Sequence, residues 1–526
     1  MAKNYDVVIV GAGHAGLTVG CYLLKAGLSV CILEHLPYVG GGVVSLEAAA
    51  PGFKTDPCAV WHGILQANPL ILNDELNLFS KYGMEYVPAP SKQNTVLFDD
   101  NEYITLSHSV DDTCESIAKF SQKDAEAYRK FYEWWSPAVD FMLGGMYNPA
   151  VPYSAFASLC EQSEMGKSIW RALHQSADDL VSDWFESTEV KALLTRYTTE
   201  ALLSPRTKGT GFAVFIMCGL THKYPATLPK GGSGSLSLAM ERCILAQGGE
   251  IKCNAEVKKI KVVGGEAKSV ILKSGEEIVA KKAVVSNLHV KQLFPDMVGE
   301  DNLPPDFVRQ VKGTSLSDFG CMNQQLALNE APNFIAGDDV NNSFFVEFGP
   351  RDYEKYLRSF DELCYGYPVF DVPLVVCQTR FDPTRAPAGK HTLYLYSYAP
   401  YKLKEGGVER WKDIGQEIAD KILETLRKQT TNMGDENIIG RFIETPPDIE
   451  RRTKSMIGSD FCHLGTYVDQ IIGARPCMGW SGRTPINNLY MCGPSVHPGC
   501  GVTGGGRAQV QPVMEDLGID FFQVIK

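Results

Sequence analysis

The sequence predicts an α/β fold in which a nucleotide-binding domain is interrupted by the segments of a second, substrate-binding domain. Three observations lead to this prediction. A short apolar strand, a glycine-rich turn and a helix open the chain, a helical and aromatic-rich stretch spans residues 106–225, and a second glycine-rich turn precedes the last helix. We expect the two glycine-rich turns to meet around one bound nucleotide, although almost five hundred residues separate them.

The opening segment has the strand–turn–helix pattern of a Rossmann-type dinucleotide site. Asp6–Val10 is typical of a buried strand, and Gly11, Gly13 and Gly16 follow it at G-x-G-x-x-G spacing. Gly11 allows a tight turn, Gly13 lets the backbone approach a pyrophosphate, and Gly16 lets the helix pack on the strand. Glu34 ends the next strand, about 20 residues further on, where an acid accepts from a ribose hydroxyl. A purely structural glycine turn is the alternative.

Composition and charge restrict the possible functions. A chain of 526 residues can bury a large core and is expected to form two or more domains. Its formal net charge of −12 argues against a nucleic-acid partner and against simple attraction to anionic lipid. The 15 cysteines include no C-x-x-C pair, which favours reduced thiols in an intracellular protein over a disulfide framework.

Membrane and metal signals are sparse. The N-terminus lacks the pattern of a signal peptide, and no uncharged apolar run reaches the roughly 18 residues that suggest a bilayer-spanning helix. We therefore expect a cytoplasmic protein, with peripheral membrane contact and oligomeric state left open. The sequence contains no H-E-x-x-H motif, zinc-ligand spacing, G-x-S-x-G elbow or Walker loop, so no metal site is expected.

The residues that follow Glu34 resemble a known family. Val39-Gly-Gly-Gly42 is followed by Pro51-Gly-Phe-Lys-Thr-Asp56. These segments are similar to those of the flavin-dependent phytoene desaturase and carotenoid isomerase-like family, within the amine-oxidase-like flavoprotein superfamily, which carry Gly-Gly-Arg and then Gly-Phe-x-x-Asp. Gly42 stands where that family has arginine, so backbone donors or another cation must replace the guanidinium.

The same resemblance implies that residues 56–63 run beside the isoalloxazine ring of FAD. On this ground Asp56 and Cys58 are expected at the cofactor. His62 is the second candidate catalytic residue. The alternative is that His62 and Trp61 form a buried polar–aromatic pair.

The stretch 106–225 is predicted to be a helical cap. Asp124–Trp135 and Met165–Ser187 fit helices. An aromatic and methionine-rich group lies in this stretch: Tyr132, Trp134, Trp135, Phe141, Met142, Met146 and Tyr147. Such side chains fit either an ordinary core or the lining of an apolar substrate tunnel or membrane-docking mouth.

After the cap the pattern returns to alternating helix and strand. A helix that starts near Gly234 and strands between residues 250 and 287 resemble the second part of the desaturase-type FAD domain. The resemblance implies that the backbone of Val257 meets the adenine. A sheet of the substrate domain is expected from strands at Phe344–Phe348, Leu374–Arg380 and His391–Tyr398, with a long helix at Trp411–Gln429.

The C-terminal signature is the most specific of all. A strand at Asn488–Cys492 leads to Pro494-Ser-Val-His497-Pro-Gly-Cys500-Gly-Val-Thr503 and then to a helix. This closely resembles the desaturase-family ending, His-Pro-Gly-Gly-Gly-Val-x-Gly, with Cys500 in place of one glycine. Free N–H groups at the start of the last helix are expected near the flavin.

Few residues are candidates for catalysis. By resemblance His497 is the first, as a base or a hydrogen-bond partner of the flavin ring, and the alternative is that it fixes the glycine loop. Tyr467, Asp469 and Arg475 precede the loop and could approach the substrate or flavin, or serve only packing and surface roles.

The cofactor is thus predicted to be FAD rather than NAD. The residues predicted to bind it are Gly11, Gly13, Ala15, Gly16, Glu34, Gly41, Gly42, Asp56, Cys58, Val257, Gly493, Gly501, Val502 and Thr503. The predicted fold is a Rossmann-type FAD-binding domain with a discontinuous α+β substrate domain, a mixed sheet capped by helices. The FAD-binding domain is assigned residues 1–105, 226–295 and 446–526, the helical cap 106–225, and the substrate-domain sheet 296–445.

Three functions are compatible with this reading. The resemblance implies an FAD-dependent oxidoreductase acting on C–C bonds of a hydrophobic isoprenoid, terpenoid or alicyclic molecule by desaturation, saturation or flavin-assisted isomerisation. Quinone, oxygen or a nicotinamide could exchange electrons with it. The second function is an amine or alicyclic oxidase that uses oxygen and has an aromatic cage. The third is a non-enzymatic prenyl-binding chaperone of the GDP dissociation inhibitor type, against which the intact glycine turns argue.

Overall fold

Two sheets organise the chain, whose computed structural model describes residues 3–526. The strands are β1 Lys3–Val10, β2 Val30–Leu33, β3 Lys92–Phe98, β4 Tyr103–Ser107, β5 Glu250–Lys252, β6 Val257–Val263, β7 Glu266–Leu272, β8 Glu277–Ser286, β9 Gly320–Leu328, β10 Phe345–Gly349, β11 Leu374–Val376, β12 His391–Ala399, β13 Ile438–Glu444 and β14 Leu489–Met491.

Helices cover both sheets. They are α1 His14–Lys25, α2 Pro69–Leu72, α3 Val110–Ala118, α4 Gln122–Trp135, α5 Val139–Met146, α6 Tyr153–Cys160, α7 Glu164–His174, α8 Ala177–Trp184, α9 Thr188–Thr198, α10 Gly211–Lys223, α11 Gly234–Ala246, α12 Val290–Gln292, α13 Pro305–Gly313, α14 Asp338–Asn341, α15 Tyr353–Cys364, α16 Trp411–Lys428, α17 Pro446–Thr453, α18 Gly505–Asp516 and α19 Phe521–Val524. Within residues 3–526, no helix combines the length and apolarity that crossing a bilayer requires.

The first sheet has the strand order β5-β2-β1-β8-β7-β6, and β14 also pairs with β8. Its central pairs β1–β2, β1–β8 and β8–β14 are parallel. The apolar run Val7–Val10 is fully buried, as expected of a parallel strand that is covered on both faces. Helix α1 packs against both α11 and α18, so the beginning, middle and end of the chain build one layer.

The second sheet has the order β13-β9-β12-β11-β10-β3-β4. Its β3–β4 hairpin belongs to the sheet because β3 pairs in parallel with β10, with Thr95 opposite Val346. The predicted first segment, residues 1–105, therefore ends in strands that lie outside the nucleotide-binding sheet. The local pattern indicated a hairpin but contained no sign of a partner about 250 residues away.

The cap consists of helices α3 to α10, which lie between residues 110 and 223. Trp135, Met142 and Tyr147 are buried in its core, whereas Phe141 is 59% exposed and Trp134 is 37% exposed. Most of the aromatic and methionine-rich group is thus ordinary core. Met146 is the member that reaches the large cavity described below.

Candidate functional site

The carboxyl ends of three strands lie side by side in the first sheet. Val10 of β1 is in register with Ser286 of β8, and Ser286 is in register with Met491 of β14. Asn287, the residue after β8, donates its backbone N–H to Val10 O at 2.8 Å. The turns after β1 and β14 therefore flank Asn287, at the edge where open parallel sheets bind ligands.

Both glycine-rich turns approach the side chain of Asn287 too closely for a larger residue. A Cβ atom added to Gly13 would lie 2.5 Å from Asn287 Nδ2, and one added to Gly493 would overlap Asn287 Oδ1. That Oδ1 atom is shielded from solvent and has no hydrogen-bond partner among residues 3–526. The two turns thus come together in the folded chain, and Asn287 joins them.

The first turn leads directly into helix α1. Gly11 has a φ of +95°, which strongly favours glycine. A Cβ on Gly16 would overlap the carbonyl oxygen of Gly11, so the helix and strand are in direct backbone contact. Ala15 is fully buried in the first helical turn, whose N–H groups have no earlier helical carbonyl to bind. This arrangement fits an anionic group at the start of α1.

Glu34 lies beside the first turn at the end of β2. Its Oε2 accepts the Ala12 N–H at 2.8 Å and its Oε1 accepts the Leu36 N–H at 2.9 Å. Each carboxylate oxygen can accept a further hydrogen bond, so a ribose hydroxyl can still be bound. The Ala255 N–H donates to Glu34 O at 2.7 Å, which brings buried Val257 at the start of β6 to the same region.

The second glycine-rich loop leads into helix α18. The Asn68 side chain donates to Thr503 O at 2.9 Å, and the Gly505 N–H donates to Thr503 Oγ1 at 3.1 Å. A Cβ on Gly506 would lie 2.5 Å from Ala15 O, so α18 packs directly on α1. Gly501 has a φ of +82°, and a Cβ there would meet no atom within 4 Å.

One continuous cavity of about 360 Å³ connects the two turns with the space between the second sheet and the cap. The predicted cofactor residues on its wall are Gly13, Gly41, Gly42, Cys58, Gly501 and Val502. Farther along, the wall is mainly apolar and aromatic, and includes Trp61, Phe212, Ile216, Met217 and Leu374. A nucleotide and an apolar molecule could therefore share one enclosed space.

The arginine that Gly42 replaces would not fit in this arrangement. A Cβ on Gly42 would lie 2.8 Å from Met456 Cε and 3.3 Å from Cys58 Sγ. Burial raises the pKa of the Cys58 thiol to about 11, and the positive charge of Arg452 opposes that rise. Arg452 is thus close enough to this corner to act on it. Its Nε pairs with Glu444 at 2.6 Å, and its buried Nη1 has no partner among residues 3–526.

His497 lines the cavity and is 6% exposed. Its Nε2 lies 2.9 Å from Gly145 O, so this nitrogen carries the proton and donates it to the carbonyl. Its Nδ1 is buried and unpartnered among residues 3–526. Burial lowers the pKa of His497 to about 4, so the ring is neutral near pH 7. His497 therefore ties the glycine loop to the end of α5 and retains one acceptor nitrogen.

His62 does not line the cavity, and its prediction as a catalytic residue is corrected. The ring is fully buried, with Nδ1 2.7 Å from Tyr86 OH and Nε2 3.3 Å from Ser233 Oγ. Burial lowers the pKa of His62 to about 3. The chain is extended here, so successive side chains point in opposite directions, and Trp61 faces the cavity instead. The polar–aromatic alternative holds, with Tyr86 as the partner.

Asp56 is also absent from the described cavity wall, which corrects its placement at the cofactor. It is fully buried, forms an ion pair with Arg385, and accepts the Ser233 N–H at 3.1 Å and the Ser45 hydroxyl at 2.5 Å. Burial raises its pKa, and Arg385 opposes that rise. Asp56 therefore joins three distant segments behind the cavity wall.

The three residues before the second loop serve the loop framework or the surface. The fully buried guanidinium of Arg475 donates to Cys462 O at 2.7 Å and to Pro494 O at 2.8 Å, which holds the loop against the preceding segment. Tyr467 OH donates to Asp318 Oδ1 at 2.7 Å, and Asp469 is exposed. None of the three lies on the cavity wall as the structure describes it.

The cysteines follow the expectation of reduced thiols with one exception. Thirteen are free, whereas Cys462 and Cys500 form a disulfide across a sequence separation of 38. Their pairing is a tertiary contact that no sequence spacing indicated. Within residues 3–526, no group of three or more His, Cys, Asp or Glu side chains could hold a metal ion.

Comparison with known proteins places this architecture in a class. Residues 9–67 match the model of the NAD(P)-binding Rossmann-like domain. The fold is also that of putrescine oxidase, with a TM-score of 0.64 at 14% identity, covering 98% of this chain and 99% of that one. The chain therefore has the fold of the dinucleotide-dependent oxidoreductases related to the amine oxidases, as predicted.

Two curated relatives make the class more specific. One of the polypeptides of limonene dehydrogenase from Castellaniella defragrans is 28% identical over 543 residues, which cover 99% of this chain and 96% of the relative. The lycopene-forming phytoene desaturase of Pseudescherichia vulneris is 24% identical and covers 97% of this chain and 99% of its own length. The resemblance stated from the sequence is thus confirmed: this protein is an enzyme homologous to the phytoene desaturase group, and its cofactor is a flavin or a nicotinamide dinucleotide.

Proposed function

We propose that this protein is an FAD-dependent oxidoreductase that transfers a hydride between flavin N5 and a carbon of an apolar terpenoid or alicyclic substrate. One observation carries the proposal: a single enclosed cavity joins both glycine-rich turns to an apolar chamber under the cap. A redox cofactor and a hydrophobic molecule can meet there without bulk water. The printed names of the two curated relatives support a terpenoid substrate.

The residues present fit FAD. The start of α1 with Gly13 and Gly41 would hold the pyrophosphate, since the cradle has no side chains and offers helical N–H groups. Glu34 would accept from the ribose, and the backbone of Val257 would meet the adenine. The unpartnered Asn287 Oδ1 is a buried acceptor that a donor on the cofactor can satisfy.

The second glycine-rich loop favours FAD over NAD. A nicotinamide site requires one glycine turn, whereas here Gly501 and Val502 line the cavity from a second loop. Together with Cys58 they would flank the flavin ring, and Thr503 would hold the start of α18. When bound, FAD supplies a two-electron hydride acceptor or donor at N5.

The protein's own contribution is to orient the substrate and exclude water. Trp61, Ile216 and Met217 give the substrate an apolar wall. His497, neutral near pH 7, keeps Nδ1 as an acceptor for a donor on the ring or for a proton, while Gly145 holds its Nε2–H. Arg452 would supply the positive charge that Gly42 cannot.

A second candidate function is supported by one feature. The rings of Tyr394 and Tyr396 lie on the cavity wall, 5.8 Å apart with an interplanar angle of 19°. Paired aromatic faces bind an amine well. This observation favours an amine or alicyclic oxidase that passes electrons to oxygen.

The test is to purify the protein, identify its bound nucleotide, and incubate oxidised and reduced holoprotein with a panel of terpenoids and alicyclic amines. We expect a yellow protein with stoichiometric FAD and a product that differs from a terpenoid substrate by two hydrogens. Oxidation of an amine with release of hydrogen peroxide would favour the second function. A colourless protein that stays colourless when FAD is added would refute both.

A further inference from the structure

We propose that the substrate of the proposed reaction carries a hydroxyl group, and that this hydroxyl donates a hydrogen bond to Glu200 on the cavity wall. The inference rests on the proposed function and makes the substrate class more specific. Among the described residues of the cavity wall, Glu200 is the one carboxylate, and its neighbours there are mostly apolar. A carboxylate in such surroundings is costly unless a donor satisfies it.

Half of this carboxylate is already bound. Tyr398 OH donates to Glu200 Oε1 at 2.7 Å. The other oxygen, Oε2, accepts no hydrogen bond from residues 3–526 and is the one available to a ligand. Tyr396 lies on the same wall, is 4% exposed, and has a hydroxyl that is buried without a partner in the described chain. Two polar groups without full partners therefore lie on an otherwise apolar wall.

Glu200 is not needed to neutralise a neighbouring cation. The fully buried Arg196 lies 3.8 Å from Glu200 Oε1, beyond hydrogen-bond distance, and 3.6 Å from Glu347 Oε1. Arg196 also donates to Thr199 Oγ1 at 2.9 Å and to Val372 O at 2.9 Å. Its charge and donors are thus served by other groups, which leaves Glu200 oriented but incompletely satisfied.

The charges of this cluster favour a neutral donor over a cation. Burial raises the pKa of Glu347 to about 7, and its Oε2 has no partner among residues 3–526, as suits a protonated acid. With Glu347 protonated, ionised Glu200 and Arg196 balance each other. A hydroxyl group keeps that balance, whereas an ammonium group would add an uncompensated positive charge to a buried site.

The test compares limonene with its primary-alcohol and primary-amine derivatives on the FAD-loaded protein. Binding is measured by calorimetry and turnover by product analysis. We expect the alcohol to bind and react at least about ten-fold better than the hydrocarbon, since a hydrogen bond to a charged group is worth that factor. Glu200→Leu should remove this preference. Glu200→Gln, which keeps an acceptor and the same volume, should reduce it only in part.

Glu347→Gln is the matched control, because it alters the same buried cluster but does not lie on the cavity wall. It should keep the preference for the alcohol, whatever its effect on stability. Equal binding of alcohol and hydrocarbon by the wild-type protein, or an unchanged preference in Glu200→Leu, would overturn the inference. So would tighter binding of the amine than of the alcohol.

Failure of this inference and failure of the proposed function give different results. If limonene is oxidised as efficiently as its alcohol, the enzyme assignment stands and the role of Glu200 falls. If the holoprotein contains no flavin, or changes none of the terpenoids, the proposed function itself falls, and the inference falls with it.

Discussion

The nucleotide end of the cavity and its substrate end are constructed by different means. At the nucleotide end, Gly13 and Gly493 remove side chains so that backbone and Asn287 can approach. At the substrate end, Trp61, Glu200 and Tyr396 from separate elements supply the wall. Backbone cradles require particular residues at particular spacings, whereas a wall of side chains requires only that suitable groups meet in space. The first therefore has a sequence signature, and the second does not.

The largest expected effect tests the backbone cradle. Gly13→Val should abolish FAD binding, because even a Cβ at this position lies 2.5 Å from Asn287 Nδ2 and a branched side chain would occupy the pyrophosphate position. The ratio of flavin to protein, read from the absorption spectrum, measures the effect. Gly313→Val is the control, since a Cβ there meets nothing within 4 Å. Full flavin content in Gly13→Val would contradict the placement.

A second variant tests the residue that joins the two turns. Asn287→Ala should weaken FAD binding by about ten-fold or more, because it removes a buried acceptor and the contact that both turns share. Titration of the apoprotein with FAD gives the dissociation constant, and a thermal melt reports folding. Unchanged affinity with an unchanged melting temperature would show that the turns reach the cofactor independently of Asn287.

Arg452 tests whether a side chain has taken over a backbone-end function. Arg452→Met should weaken FAD binding by about ten-fold and also destabilise the protein, since it leaves Glu444 buried and unpaired. The double variant Arg452→Met, Glu444→Gln should recover stability but not affinity. Arg451→Met is the control, because Arg451 is 70% exposed. Recovery of both properties in the double variant would exclude Arg452 from the site.

The adjacent pair Trp61 and His62 sharpens the comparison at the substrate end. Trp61→Ala should raise the KM for an apolar substrate several-fold at unchanged flavin content, because it removes part of the cavity wall. His62→Gln should lower the melting temperature and leave the KM unchanged, since His62 binds Tyr86 and Ser233 behind the wall. The reverse pattern would restore His62 to the site.

The smallest expected effect is the pH dependence of stability at His497. Burial lowers its pKa from 6.5 to about 4, so the native state binds fewer protons than the unfolded state between these values. Its contribution to the free energy of unfolding is therefore constant above about pH 6.5 and decreases as the pH falls towards 4. His497→Gln should lose less stability across that interval, as measured by denaturant titration. A steeper loss in the variant would contradict the burial argument.

Particular residues show how far the sequence alone could be read. Strands close to Phe345–Gly349, Leu374–Val376 and His391–Ala399 were predicted from their apolar patterns. His62 was misplaced because a residue pattern cannot tell which side of an extended segment faces a cavity. Asp56 was misplaced because its partner, Arg385, lies 329 residues away. Asn287, Arg452 and Glu200 carried no motif at all, and only their surroundings mark them.

The sequence by itself determined the α/β class, the two glycine-rich turns and the likeness to the flavin-dependent desaturases, because glycine spacing and strand periodicity are local requirements of the backbone. Only the tertiary structure decided that both turns meet at Asn287, that Trp61 rather than His62 faces the cavity, and that Glu200 is its one described carboxylate. These features depend on which distant side chains come into contact, and contact across hundreds of residues has no local spacing to reveal it.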